Sequence, residues 1–317
     1  IPATCAGNVV VLKHSSNVPE SALTIERIFK QAGFPRAIFT TLLINAKTVE
    51  KIIDLNLVDA VSLTGSIEAG KKVAEISGRN LKKIVLELGG SDPFIVFDDA
   101  DLSFTCSNAI KARLINSGQS CIAAKRFIIT KKRIKDFEKK LLGYLTVLKI
   151  GNPLKDDTDI GPLAKEDLIK KLENQINDAL KKGAKILYGG YRIKRKGLYF
   201  MPTIITNVKD NMPIVNEETF GPIFSIIPAK NETDAIKIAN STKFGLGASI
   251  WTKNLKKVEK FIREIEAGVV FVNGTVKSDP RLPFGGIKNS GYGRELSHYG
   301  LKEFVNIKTV VINNFKK

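Results

Sequence analysis

Residues 60–90 read AVSLTGSIEAGKKVAEISGRNLKKIVLELGG. Ala60 to Leu63 is a short apolar run of strand type, and Thr64-Gly65-Ser66 is a turn. The next helix runs to about Ser77, and Lys83 to Leu88 is again a strand. The same alternation extends upstream. Asn8 to Leu12 reads as a buried strand, and Pro19 opens a helix where its missing N–H costs nothing. Ala22, Leu23, Ile28, Phe29 and Ala32 form the apolar face of that helix, which Gly33 and Pro35 stop. Ile38 to Leu43 is another strand and Thr48 to Leu55 a short helix. Strands and helices alternating over short links predict an α/β fold with a parallel sheet covered on both faces.

Downstream, Asp99 or Asp101 caps a helix carrying Phe104, Ala109, Ala112 and Ile115. Apolar residues at three- and four-residue spacing predict helices around Ile134–Leu148 and Leu168–Ala179. A further helix carries Leu255, Val258, Phe261, Ile262 and Ile265, closed by Gly268. Val269 to Val272 follows as a strand, and Phe304 to Ile312 reads as a β-branched edge strand.

The 317 residues suggest about two domains. A 43% hydrophobic and 26% charged composition excludes disordered and collagen-like chains. No apolar run approaches the ~18 residues of a membrane span, and Ile1 to Leu12 lacks the features of a secretory signal. Three cysteines and two distant histidines make neither a disulfide framework nor a metal site. A cytoplasmic, metal-free chain is expected. The net charge of +18 is spread over scattered lysines, which reads as a solvated surface rather than a specific nucleic-acid face.

Five segments carry chemistry. At Thr64-Gly65-Ser66 the following helix presents free N–H groups suited to a phosphate, although two such glycines also serve ordinary turns. In Leu86-Glu87-Leu88-Gly89-Gly90 a carboxylate ends a buried strand, where ligands of open α/β sheets bind. Burial would raise its pKa and suit it to general-base work; a carboxylate paired with a lysine is the plainer reading. In Asn116-Ser117-Gly118-Gln119-Ser120-Cys121 a cysteine sits on a polar loop, as a nucleophile or a buried thiol. Cys5 and Cys106 read as packing residues. Glu218 and Phe220, in Glu217-Glu218-Thr219-Phe220-Gly221-Pro222, offer a ribose ligand and an aromatic wall, or simply a charged loop. The glycines from Pro283 to Gly293 allow close backbone approach.

In this order, the TGS turn, ELGG, GQSC, EETFGP, PFGG and SGYGRE resemble the aldehyde dehydrogenase superfamily across essentially the whole chain. Residues 118–127 and 278–284 are most similar to its NADP-dependent succinate-semialdehyde dehydrogenases. The resemblance implies a Rossmann-type cofactor domain, incomplete here, an α/β catalytic domain and a C-terminal edge strand. The expected divisions are residues 1–89, 90–289 and 290–317, the last carrying an oligomerisation strand around Val305 to Ile312 and a homodimer or tetramer. It implies that Cys121 is the nucleophile and Glu87 the base that activates the deacylating water. Lys13, Gly65, Ser66, Leu88, Glu218 and Phe220 would face the cofactor. Ser16 stands where NAD-preferring relatives often carry glutamate, which points to NADP, with NAD also possible. Ser278 and Phe284 would face a small aldehyde, most simply succinic semialdehyde. Glyceraldehyde, lactaldehyde or a non-catalytic remnant are the other readings. The family pattern begins well before Ile1, so an upstream asparagine of the oxyanion hole is expected to be missing. Ile115 also replaces an arginine that grips the carboxylate in some semialdehyde enzymes, and Arg113 would face elsewhere on its helix.

Overall fold

The computed structural model describes residues 1–313. Its larger sheet has seven strands: β5 (Asp92–Val96), β6 (Ala124–Thr130), β7 (Lys185–Tyr188), β8 (Thr203–Thr206), β9 (Ile223–Ala229), β11 (Gly247–Trp251) and β12 (Val269–Val272). Their spatial order is β12-β11-β5-β6-β9-β8-β7, and only the β7–β8 pairing is antiparallel. Burial on both faces gives the inner strands β5, β6, β9 and β11 apolar residues on both sides of the pleat, while edge strand β7 is largely exposed. Phe94, Phe127 and Phe224 line one face as a cross-strand ladder with 5.1 Å between neighbouring rings. Trp251 stacks on Phe94 at 4.9 Å. The helices Leu102–Leu114 and Ile134–Leu145 cover this face with Cys106, Ala109, Phe137 and Leu141. Ile95, Ile128, Ile227 and Ile250 point to the other face, under Leu172 and Ile176 of the helix Glu166–Lys181 and Phe261 of the helix Leu255–Glu264.

The first third of the chain is built differently from a single covered sheet. Strands β1 (Val10–Lys13) and β2 (Phe39–Leu42) form a parallel pair of their own. Strands β3 (Ala60–Thr64) and β4 (Lys83–Glu87) pair in parallel, and β14 (Gly291–Tyr292) returns antiparallel onto β4. Strand β10 (Phe244–Gly245) pairs with β13 (Ile287–Lys288), tying the glycine-rich segment to the larger sheet's flank. The helix Pro19–Gln31 buries Ala22, but Ile28 on its expected apolar face is 56% exposed. Val9 just before β1 and Val11 within it are exposed as well.

The tail departs from expectation. Phe304 to Ile312 forms no strand among the described residues, and the last four residues of the 290–317 division lie outside them. A β-branched run becomes a strand only where another backbone takes its N–H and C=O groups. Here the side chains of Asn8 and Lys83 reach only the Phe304 and Val305 carbonyls, and Ile307, Val310, Val311 and Ile312 stand exposed. Asp101, not Asp99, caps the helix Leu102–Leu114; Asp99 instead accepts from Thr252 and Lys253. The helix ahead of Gly268 ends at Glu264. Gly268 serves close approach instead, because a Cβ there would overlap the Gly285 carbonyl. Cys106 is buried as expected, whereas Cys5 is exposed. No helix among the described residues is long and apolar enough to cross a membrane.

Candidate active site

The GQSC loop leaves the helix Leu102–Leu114 through three successive left-handed residues, Asn116 (φ 48°), Ser117 (φ 55°) and Gly118 (φ 78°). Such a run is strained for residues with side chains and persists only where contacts over-determine it. The contacts are present. Asn116 Nδ2 donates to the Gln119 carbonyl at 3.1 Å, Ser117 Oγ to the Gly161 carbonyl at 3.1 Å, and Gln119 Oε1 accepts the Ala164 N–H at 2.8 Å. Gly118 itself packs on the Gly221 carbonyl, where a Cβ would overlap. Gly118→Ala is therefore expected to cost more than about 2 kcal/mol of folding free energy in denaturant titration, from the φ and the overlap together. An unchanged midpoint would mean that the loop is softer than its contacts indicate.

Arg113 holds this loop from beneath. Its guanidinium is fully buried and donates to the carbonyls of Ala124 (2.9 Å), Gly118 (3.3 Å), Thr219 (2.9 Å) and Gly221. A planar fork with five donors suits a site made of carbonyls rather than one carboxylate. Its bonds join GQSC to EETFGP.

ELGG enters between these two segments. The Gly90 N–H donates to Glu218 Oε1 at 3.0 Å. A Cβ on Gly89 would come within 2.6 Å of Glu218 Oε2, and one on Gly90 within 2.5 Å of the Cys121 carbonyl. The two glycines are thus required by the approach of the Cys121 loop on one side and Glu218 on the other. Behind them lie charged side chains that sequence reasoning missed. Lys125 is buried and donates to the carbonyls of Ser120 (2.9 Å), Cys121 (2.8 Å) and Ala123 (3.2 Å). Asp92 accepts the Gly247 N–H at 3.1 Å. Arg126 donates to the carbonyls of Ser91, Ile238 and Ala239, each at 2.8 Å. The signal available was two adjacent cations, Lys125 and Arg126, inside a run otherwise as apolar as a buried strand.

Cys121 is half-buried. Burial pushes its thiol pKa up, Lys125 pulls it down, and the carboxylates of Asp92, Glu218 and Glu87 push it up. Glu87 ends β4 opposite Thr64 and Gly291, 3% exposed, with its side chain against Gly285. Neither of its carboxyl oxygens has a hydrogen-bond partner; the Gly286 N–H approaches without closing a bond. Burial raises its pKa to about 7, Glu295 adds to the rise, and Arg294 opposes it. Ser290 locks the surrounding glycines: its Oγ donates to the Gly89 carbonyl at 2.7 Å and accepts the Gly245 N–H at 3.0 Å.

The remaining candidates spread outward. The Gly65 N–H donates to the Glu87 carbonyl at 3.0 Å, so the TGS turn abuts ELGG. Ser66 caps the helix Ile67–Arg79 through the Ala69 N–H, and both Gly65 and Ser66 are exposed. Leu88 is buried against Gly70, which leaves its backbone as the part a ligand can meet. Lys13 ends β1 with Nζ on the His14 carbonyl at 2.6 Å, and Ser16 is exposed just beyond it. Phe220 is half-buried beside Glu218, Phe284 is buried opposite Glu295, and Ser278 is exposed. No described hydrogen bond ties Ser278, Ser16 or Lys13 to the Cys121 cluster. No described group of three or more His, Cys, Asp or Glu residues is placed to hold a metal.

A half-buried thiol and a buried carboxyl whose pKa burial raises to about 7 lie where ELGG, GQSC and EETFGP converge, with the exposed N-terminus of the helix Ile67–Arg79 beside ELGG. The sequence matches the Aldehyde dehydrogenase family over residues 1–310. The chain belongs to the aldehyde dehydrogenase family. Among its relatives is the succinate-semialdehyde dehydrogenase (NADP(+)) 1 of Mycobacterium bovis, 48% identical over 311 residues, covering 98% of this chain and 68% of that protein. A probable succinate-semialdehyde dehydrogenase (NADP(+)) of Synechocystis is 49% identical, with the same shares covered. The solved succinic semialdehyde dehydrogenase of Streptococcus pyogenes in complex with NADP+ superposes with a TM-score of 0.96 at 40% identity, over 99% of this chain and 69% of that one. This aldehyde dehydrogenase is accordingly an α/β oxidoreductase of the NAD(P)-dependent class.

Proposed function

We propose that this aldehyde dehydrogenase oxidises succinic semialdehyde to succinate with NADP, with Cys121 carrying the acyl group and Glu87 releasing it. The observation that carries this reading is the convergence of Glu87, Cys121 and Glu218 around Gly89-Gly90, in a chain 48% identical to an enzyme named for that substrate and cofactor. The cofactor-side residues suit such a ligand. The helix Ile67–Arg79 presents its N-terminus at exposed Gly65 and Ser66, which favours a pyrophosphate. Lys13 lies at the carboxyl end of β1, and Leu88, Glu218 and Phe220 flank the way to Cys121. When bound, NADP supplies the hydride acceptor.

The Cys121 thiolate adds to the aldehyde carbon, and its own backbone N–H is assigned as one donor to the developing oxyanion. After oxidation a thioester is left on Cys121. Glu87, as carboxylate, takes a proton from water, which attacks the thioester and frees the acid. We assign Ser278 and Phe284 to the substrate side. Residues 1–89 are read as the cofactor-domain portion and 90–289 as the catalytic domain, since β4 and β5 lie in different sheets. For assembly we propose pairing of copies through Val305–Ile312, where Ile312 is 82% exposed.

Ser16 tests the cofactor half of this reading. A carboxylate there would face the 2′-phosphate, and like charges brought together cost several kcal/mol. Ser16→Glu is expected to weaken NADPH binding roughly tenfold to a thousandfold in fluorescence titration and to spare NADH. Equal losses for both cofactors would remove Ser16 from the phosphate site.

A further inference from the structure

We propose that Lys125 is a positioning residue for the nucleophile: its ammonium gathers the turn that presents Cys121 and serves as the local counter-charge of the Cys121 thiolate. This rests on the assignment of Cys121 as nucleophile. An ammonium has three protons, and Lys125 finds three carbonyls, those of Ser120, Cys121 and Ala123, all within 3.2 Å. These carbonyls belong to consecutive corners of the turn between Gly118 and β6, so one buried point fixes the turn's curvature. A neutral amine would leave one of them without a donor, at the cost of a buried unpaired acceptor.

The charges around this point are unequal. Lys125, Arg113 and Arg126 are fully buried, and two carboxylates face them, Asp92 from β5 and Glu218 from the turn before β9. Glu218 Oε1 lies 3.6 Å from Lys125 Nζ. Asp92 Oδ2 is buried with no partner. Beside Cys121 itself stand three carboxylates, Asp92, Glu218 and Glu87, and one cation, Lys125, whose Nζ bonds the Cys121 carbonyl, so the local counter-charge of a thiolate falls to Lys125. Lys125 is the group that favours ionisation of Cys121. The groups facing Cys121 are Lys125 from β6, Asp92 from β5, Glu218, and Glu87 from β4. A buried lysine is costly unless paired, so its retention inside a strand end needs such a reason.

The test is the pH dependence of alkylation by iodoacetamide, with Cys121 and Cys5 followed separately by peptide mass. Lys125→Met removes donor and charge; Lys125→Gln removes the charge and keeps two N–H donors. The expected result is an upward shift of the Cys121 midpoint by at least about one pH unit in either variant that folds, with Cys5 unmoved. That is a roughly tenfold loss of alkylation rate below the midpoint. A folded variant with the wild-type Cys121 midpoint overturns the proposal. So does failure of both variants to fold, because Lys125 would then serve the fold and not the thiol. A wild-type Cys121 that alkylates no better than denatured thiol sinks the nucleophile assignment itself, a separate result.

Discussion

Cys121→Ala is expected to abolish turnover of succinic semialdehyde with NADP, to less than about one part in 10⁴ of the unsubstituted chain, because the covalent step has no substitute atom. The same variant should lose the stoichiometric burst of nitrophenolate that an activated ester gives with a reactive thiol. That second readout needs no cofactor and isolates the thiol from everything that binds NADP. Cys106 cannot stand in, since it is buried under Phe137 and burial pushes its pKa to about 12. Cys5 is exposed and distant in the chain, and its reaction should be slow and unaffected by the substitution. A burst that survives in Cys121→Ala would move the nucleophile elsewhere.

Glu87→Gln should separate the two half-reactions. Acylation needs only the thiolate, so the burst should persist at full amplitude. Deacylation needs a base, and its rate should fall by about 10²- to 10⁴-fold, leaving an acyl adduct on Cys121 visible by mass. The pH dependence follows from the position of Glu87. Its pKa is raised to about 7, so deacylation by the unsubstituted chain should rise with pH through neutrality and flatten above it. At pH 6 only about a tenth of the carboxyls are ionised. Stability runs the other way. Between the ordinary carboxyl value of 4.5 and about 7 the folded chain holds the Glu87 proton that the unfolded chain has lost, so this group's contribution falls as pH rises through that window. A deacylation rate equal in Glu87→Gln and the parent chain would assign the base to another group, with Glu295 the next to examine.

Much of this was legible in the residues. Periodicity located the helices Pro19–Gln31, Ile134–Leu145 and Glu166–Lys181, because each has a one-sided apolar pattern, although Ile28 shows that such a face need not be buried. The motifs located the loops that meet at Gly89-Gly90. What stayed hidden depends on partners far away in sequence. Phe304 to Ile312 has strand composition and no ladder among the described residues, since composition cannot supply the neighbouring backbone. Likewise, β5 escaped notice because Asp92-Pro93 begins it, a pair that reads as a turn when its surroundings are unknown. Lys125 and Asp92 were silent for the same reason, and Arg113 showed only that it faces elsewhere on its helix: a charged letter does not announce which backbone groups of other elements enclose it.

The Gly90–Glu218 bond closes 128 residues of chain, and the Arg113 bonds to Thr219 and Gly221 close 106 and 108. Contacts of such separation repay the entropy of closing long loops only after the intervening segments are in place. During synthesis, then, the thiol would emerge long before EETFGP leaves the ribosome. Its final surroundings would assemble among the last events of folding. A chain caught before that moment would carry a cysteine with its local cation but without Glu218 and without the Arg113 bonds to Thr219 and Gly221, so the site is complete only once EETFGP has docked.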